Sequence, residues 1–256
     1  MKSTVARVST GSTYVLMLML CGVFFLHLEQ ACAALPQTTQ EIDQHLAKLQ
    51  PEMQSIALLM LLKSFKEQNI TKSNNIYAHA LRKLEEIVRT SPNAKAASLA
   101  ATTLQAYDPG NPVANAKIDA LAKNGDAEAQ YFLGLVYRDG SGRPKDPAKS
   151  HAWMMEAGKR GHARGAFEAG QNYFFGQSGQ IKNEQKGFEW FLKSAEAGYP
   201  PAQVNVSLIY YTGKLVKRDM NKFLYWMQKA ADAGDPQAKQ FMDDVKKAGL
   251  VPGAPQ

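Results

Sequence analysis

From Gly125 to Gly234 one pattern is written three times and begun a fourth, and this repetition constrains the fold more than any other feature of the 256-residue chain. Gly125, Gly161, Gly198 and Gly234 open the copies at intervals of 36, 37 and 36 residues. Counting from each glycine, the fourth residue is small (Ala129, Gly165, Ala202, Ala238), the twelfth is tyrosine (Tyr137, Tyr173, Tyr210) and the fifteenth is glycine (Gly140, Gly176, Gly213). Tryptophan then returns at Trp153, Trp190 and Trp226. Several uncommon residues recurring at a period between about 20 and 50 residues mark a stacked-repeat architecture.

Each copy reads as two antiparallel helices. Ala129, Leu133, Val136 and Tyr137 lie on one apolar face at helical spacing, and Gly140 supplies the left-handed residue that ends helix A. A short turn leads to Asp146, Asn183 or Asp219, residue types that accept hydrogen bonds from the free amides at a helix start. Helix B therefore begins there, runs through Lys149 and Trp153 (then Lys186 and Trp190, Lys222 and Trp226), and stops at the next opening glycine. Asp126 or Asp235-Pro236 caps the following helix A.

The small residue, Leu133-Gly134, Tyr137, Gly140, Asp146, Lys149, Trp153 and Gly161 together resemble the Sel-one-like repeat (SLR), a relative of the tetratricopeptide repeat. The resemblance covers residues 125–249, as copies 125–160, 161–197 and 198–233 and a partial copy 234–249. The second copy departs from it: Ala169 replaces the leucine, Asn183 the aspartate, and one residue is inserted between Gly176 and Trp190. The resemblance implies an all-α, right-handed α-solenoid that binds protein partners, usually in bacterial signalling, secretion or host contact. Periodicity by itself yields only the solenoid.

Residues 1–33 read as a secretory signal peptide and not as part of the fold. Lys2 and Arg7 give a positive start, Val15 to Leu28 is an almost unbroken apolar run of 14 residues, and Ala31-Cys32-Ala33 is a small-x-small site. A membrane-spanning helix needs roughly 20 residues, so cleavage between Ala33 and Ala34 is favoured over a retained inner-membrane anchor. The expected location is periplasmic or secreted, with membrane contact only through an uncleaved signal segment. Cleavage removes Cys21 and Cys32, the only cysteines, and with them any disulfide framework, thiol nucleophile or Cys-ligated metal. That departs from the cysteine-rich branch of the resembling family and weakens any transfer of its penicillin-binding activity. Losing Lys2, Arg7 and Glu29 lowers the net charge from +7 to +6. Such an excess permits weak attraction to anionic surfaces, but no Lys/Arg block with interleaved aromatics reaches the density of a nucleic-acid groove.

Residues 34–90 form an N-terminal helical segment: a loose leader, then helices over 41–50 and 53–65 broken at Pro51. The second is so rich in leucine and methionine that it needs burial against a partner surface. Residues 76–89 are amphipathic, with Tyr77, Leu81, Leu84 and Val88 on one side. Residues 91–107 and 112–123 pair as a degenerate repeat, 91–124, with Tyr107 ahead of an Asp108-Pro109-Gly110 turn. Residues 236–248 form a polar terminal helix, the cap a solenoid end requires, and the proline-bearing tail 250–256 frays.

Chemical motifs are almost absent. The chain holds no phosphate-cradling glycine loop, no HExxH, no GxSxG and no regular His/Asp ligand spacing. Gly140-Ser141-Gly142 and Gln177-Ser178-Gly179 sit in turns where glycine and serine serve geometry, and His162 stands where the other copies cap helix A. Asn69-Ile70-Thr71 and Asn205-Val206-Ser207 fit glycosylation acceptors by chance. No catalytic residue, cofactor or metal is expected, and the chain is expected to be a monomer.

The favoured reading is an exported repeat scaffold that holds a protein partner in a concave groove. An immunity or inhibitor protein that neutralises an exported toxin is the alternative, and an enzyme acting on cell wall or β-lactams is the third. The sixth, tenth and thirteenth residues after each opening glycine share one face of helix A. They are Tyr131, Leu135 and Arg138, then Phe167, Gln171 and Phe174, then Val204, Leu208 and Tyr211. This stripe is the expected groove, with Arg138 choosing an acidic group on the partner; inter-helix packing, or cover from the leucine-rich N-terminal segment, is the competing use of the same residues.

Overall fold

The computed structural model describes residues 36, 38–70 and 74–248, and the described residues form twelve helices. They are α1 (Thr39–Leu46), α2 (Pro51–Glu67), α3 (Asn75–Thr90), α4 (Ala94–Tyr107), α5 (Pro112–Lys123), α6 (Ala127–Asp139), α7 (Pro147–Lys159), α8 (Ala163–Phe175), α9 (Glu184–Glu196), α10 (Pro200–Thr212), α11 (Met220–Asp232) and α12 (Pro236–Lys247). The signal segment with Ala33, Ala34, Cys21 and Cys32, Thr71 of the first acceptor triplet, and the tail lie outside the described residues. The fold is an all-α solenoid in which α6, α8, α10 and α12 are A helices and α7, α9 and α11 are B helices. Each packs chiefly on its neighbours in sequence.

The recurring residues form one joint, built three times. Gly140, Gly176 and Gly213 adopt left-handed φ of 76°, 69° and 67° and close helix A, each N–H donating to a carbonyl four residues back. At the start of helix B, Asp146, Asn183 and Asp219 accept from the backbone N–H of Lys149, Lys186 and Lys222 at 2.9, 2.9 and 3.0 Å. Their own N–H groups donate back to the carbonyls of Tyr137, Tyr173 and Tyr210 at 2.9, 2.7 and 3.1 Å. The same lysines place their ammonium groups over those tyrosine rings, 5.4, 3.9 and 5.0 Å from the centroids, a contact contributing about 0.5–1 kcal/mol at exposed sites. The tyrosine, glycine, Asp/Asn and lysine columns are therefore parts of a single A-to-B joint.

Small residues let successive helices approach. A Cβ on Gly165 would lie 2.9 Å from the Ala157 side chain and 3.0 Å from the Met154 carbonyl, and Ala129, Ala202 and Ala238 in the same column are buried. A close backbone crossing lies at Gly158 on α7. A Cβ there would sit 2.7 and 2.8 Å from the Ala166 Cα and N and 2.9 Å from the Trp190 ring. Because two of these atoms are backbone, Gly158→Ala must push α8 away; we expect a loss of about 1–3 kcal/mol, read from urea denaturation midpoints. A midpoint equal to wild type would show that α7 and α8 separate freely.

The N-terminal helices continue the stack instead of lying along the A helices. Helix α1 packs on α3, α2 on α3 and α4, and α3 also on α4 and α5. Phe65, Leu58, Leu62, Leu84, Leu104 and Ile118 join Ala129 and Leu133 in one core, and the Ser55 hydroxyl donates to the Ala96 carbonyl across α2 and α4 at 3.1 Å. Helix α1 stops at Leu46, four residues before the expected end. Gln54 reaches back from α2 and its amide donates to the carbonyls of Leu46 and Leu49, so the side chain of one helix closes the end of the other.

Candidate partner-binding groove

The nine stripe residues do not share one fate: at the thirteenth position Phe174 and Tyr211 lean on the facing B helix, whereas Arg138 pairs with the next A helix. Phe174 lies over Gly187, whose Cβ would be 2.7 to 2.9 Å from Phe174 atoms, and its ring is 5.5 Å from that of Phe191. Phe167 packs on Phe191 and Tyr199 at 5.5 and 5.1 Å. Both phenylalanines thus belong to the packing between α8, α9 and α10, the competing use of the stripe, and are half-buried. Tyr131 stacks on the His162 ring at 4.4 Å; Leu135, Gln171 and Val204 are half-buried. Leu208 and Tyr211 stand open, each 45% exposed.

Arg138 differs most from the expected role. It is exposed, yet its guanidinium is held 2.8 Å from Asp139 and 3.5 Å from Glu168 of the next A helix. Burial pushes the Glu168 carboxyl up, and the nearby guanidinium opposes that shift. With two carboxylates from its own chain, Arg138 already has the acidic groups it was expected to seek. Capping by His162 is as expected: its Nδ1 accepts the Gly165 N–H at 3.0 Å, leaving Nε2–H to donate to Glu128 at 3.0 Å, which holds that carboxyl low.

Several exposed apolar side chains lie outside the stripe. Phe175 and Ile181 flank the inserted turn after α8, Ile181 being 89% exposed, and Met220 and Phe241 border the Tyr211 region. Rings connect this region: Tyr211 is 5.1 Å from Phe223, which is 5.5 Å from Phe241. Ile181 lies in a turn, which has no helical period, so the amphipathic spacing that revealed the stripe could not reveal it.

One buried polar cluster interrupts the apolar stack. His151 on α7 is 3% exposed; its Nδ1 lies 3.0 Å from the Asn172 side-chain nitrogen and its ring edge meets Tyr173 at 4.9 Å. Nδ1 therefore accepts, and Nε2 carries the proton without a partner. Asn172 in turn accepts the Ser178 hydroxyl at 3.0 Å, fixing the inserted turn, where Ser178 has a φ of 54°. Burial, with the Lys186 ammonium nearby, lowers the His151 pKa to about 4. Among the described residues no group of three or more His, Cys, Asp or Glu could hold a metal ion.

Three consecutive stretches, residues 127–162, 163–199 and 200–235, match the Sel1 repeat, each beginning at the first residue of an A helix. A solved Sel1 repeat protein from Oxalobacter formigenes is 30% identical, covers 51% of this chain and 97% of its own length, and superimposes with a TM-score of 0.48. The chain belongs to the Sel1 repeat family. Chains of this family are scaffolds that typically act through protein–protein interaction. Two curated relatives share part of this Sel1-repeat chain. The alginate biosynthesis protein AlgK of Azotobacter vinelandii is 26% identical over 149 residues, 57% of this chain and 32% of its own. The chitin synthase regulator SKT5 of Saccharomyces cerevisiae is 39% identical over 57 residues, 22% of this chain and 8% of its own. The chain spans about a third or less of the length of the curated relatives it matches. Among the described residues no helix is long and apolar enough to cross a membrane.

Proposed function

We propose that this Sel1-repeat chain is an exported scaffold without chemistry of its own, binding a protein partner along the open face of its A helices and most strongly at the third repeat. The observation that carries the reading is the pair Leu208 and Tyr211, each 45% exposed on α10, with Tyr211 linked through Phe223 to exposed Phe241. An exposed tyrosine, a hot-spot type, grouped with other exposed apolar side chains marks a surface that a protein partner covers. The packing of α1–α3 onto α4 and α5 supports an uncovered face. Residues 91–124 then serve as a degenerate first repeat that joins the N-terminal helices to the stack. Export rests on the positive start, short apolar run and Ala33-Ala34 cleavage site. Two relatives are named for alginate biosynthesis and for regulating a chitin synthase, which supports a role beside another protein's chemistry.

The test is a photo-crosslinking residue placed at position 208 in native cells, with the same residue at exposed Glu189 on α9 as control. The expected result is one protein crosslinked from 208 and not from 189, on a chain whose N-terminus is Ala34. Leu208→Ser with Tyr211→Ser should weaken capture about tenfold or more, as loss of a binding hot spot does, and leave the melt within a few degrees. Equal crosslinking from both positions, or an intact Met1, sinks the corresponding half of the reading.

A further inference from the structure

The turn between α10 and α11 carries an unbalanced positive charge. Between Gly213 and Lys222 stand four cations, Lys214, Lys217, Arg218 and Lys222, and one carboxylate, Asp219. Asp219 caps α11 and lies 4.0 Å from Lys222. Lys214, Lys217 and Arg218 lie within ion-pair distance of no carboxylate among the described residues. The two earlier turns differ. Arg143 is paired with Asp119 at 3.0 Å and Lys182 with Glu184 at 2.6 Å, so among the described residues each of those turns leaves one cation without a carboxylate, Lys145 and Lys186, against three here; Lys149–Asp146 at 3.1 Å is the counterpart of Lys222–Asp219.

Two of these cations, Lys217 and Arg218, also border a hollow of mixed polarity. Val216, Met220 and Tyr210 line an open depression together with Lys217, Arg218 and the capping pair Asp219 and Lys222, so three cations face one carboxylate there. The Arg218 guanidinium lies 5.4 Å over the Tyr211 ring and donates to the Met220 sulfur at 3.7 Å. A planar donor fork held against an aromatic ring is preorganised for a carboxylate. We propose that this third turn is the anchor for an acidic segment of the protein partner, a carboxylate meeting Arg218 and Lys217 while an adjacent apolar side chain enters the hollow by Tyr211. The proposal rests on the groove reading, since Tyr211 belongs to both surfaces, and it gives the acid-selecting role to Arg218. A flat anionic membrane fits less well. Juxtamembrane recognition draws on about 4–8 cations spread over one face, whereas here two unpaired ones, Lys217 and Arg218, meet at one concave spot.

The probe is a fluorescein-labelled peptide of aspartates flanking one tryptophan, titrated by polarisation against the full chain. Its asparagine counterpart and vesicles of mixed neutral and anionic phospholipid are the comparisons. The aspartate peptide is expected to bind and to weaken as salt rises. Lys217→Glu with Arg218→Glu, both exposed and outside the core, should reduce that binding about tenfold or more with no change in melt. Equal binding of the asparagine peptide, an unaffected charge-reversed chain, or binding to vesicles alone would overturn the anchor. Leu208→Ser removes a groove side chain and leaves every cation of the turn in place, so its effect on partner capture reads the groove separately. Binding kept there and lost on charge reversal places the acidic contact at the third turn whatever becomes of the groove.

Discussion

Truncating Trp190 to alanine is expected to lower stability by about 3–5 kcal/mol, the usual cost of deleting a large buried aromatic. Its indole is 6% exposed, closes on Ala166, Ala169 and Tyr173, and reaches the backbone crossing at Gly158. The two alanines are too small to fill the space the indole leaves, so the cavity stays open and the cost falls at the upper end. The Lys193 ammonium lies 4.7 Å over the ring and would lose its partner too. Trp153 and Trp226 occupy equivalent positions but are half-buried, so the same change there should cost less. Urea denaturation of the three single variants checks the order. A Trp190→Ala chain as stable as wild type, but unable to hold its partner, would make this column a binding surface.

Acidification supplies the second large effect. The His151 pKa is lowered from 6.5 to about 4 by burial and by Lys186. Between those values the unfolded chain binds more protons than the folded one, so stability rises with pH. The contribution is complete above about pH 6.5 and is lost as pH falls toward 4. A shift of that size corresponds to about 3 kcal/mol. The groups facing the imidazole explain why the native state cannot follow: Asn172 donates to Nδ1, Tyr173 presents its ring, and Nε2–H has no acceptor. Urea unfolding between pH 7 and pH 4.5 should show the decline. His151→Gln keeps an acceptor for Asn172 but does not titrate, and should flatten it. An equally steep decline in that variant would assign the acid sensitivity to other groups.

The elements that the sequence made legible are those determined by the backbone. A left-handed glycine, a capping Asp or Asn and a tyrosine at fixed offsets act within one repeat, and their spacing survives in the linear chain. What faces a side chain across two repeats is not written locally. Arg138 meets Glu168, which lies one copy further on at a different offset, so its charge appeared free. Phe174 and Tyr211 look equivalent in the stripe, yet the residue opposite is glycine in one case and phenylalanine in the other. Gly187 draws Phe174 into the core, whereas Phe223 fills that space itself and leaves Tyr211 outside. The unpaired cations of the third turn were visible as residues. Their distinction from those of the first two turns depends on Asp119 and Glu184 as partners.

The A-to-B joint separates what the solenoid must keep from what it can exchange. The second turn is one residue longer than the others and carries Ser178 in a left-handed conformation, yet the Asn183 N–H still reaches the Tyr173 carbonyl at 2.7 Å and Lys186 still covers that ring at 3.9 Å. Everything between the closing glycine and the capping residue can therefore be rewritten, in length or in charge, while both helices remain clamped. Along this edge the molecule behaves as a rack with interchangeable fittings. A related chain could acquire a new partner by replacing one turn, with no need to rebuild its interior.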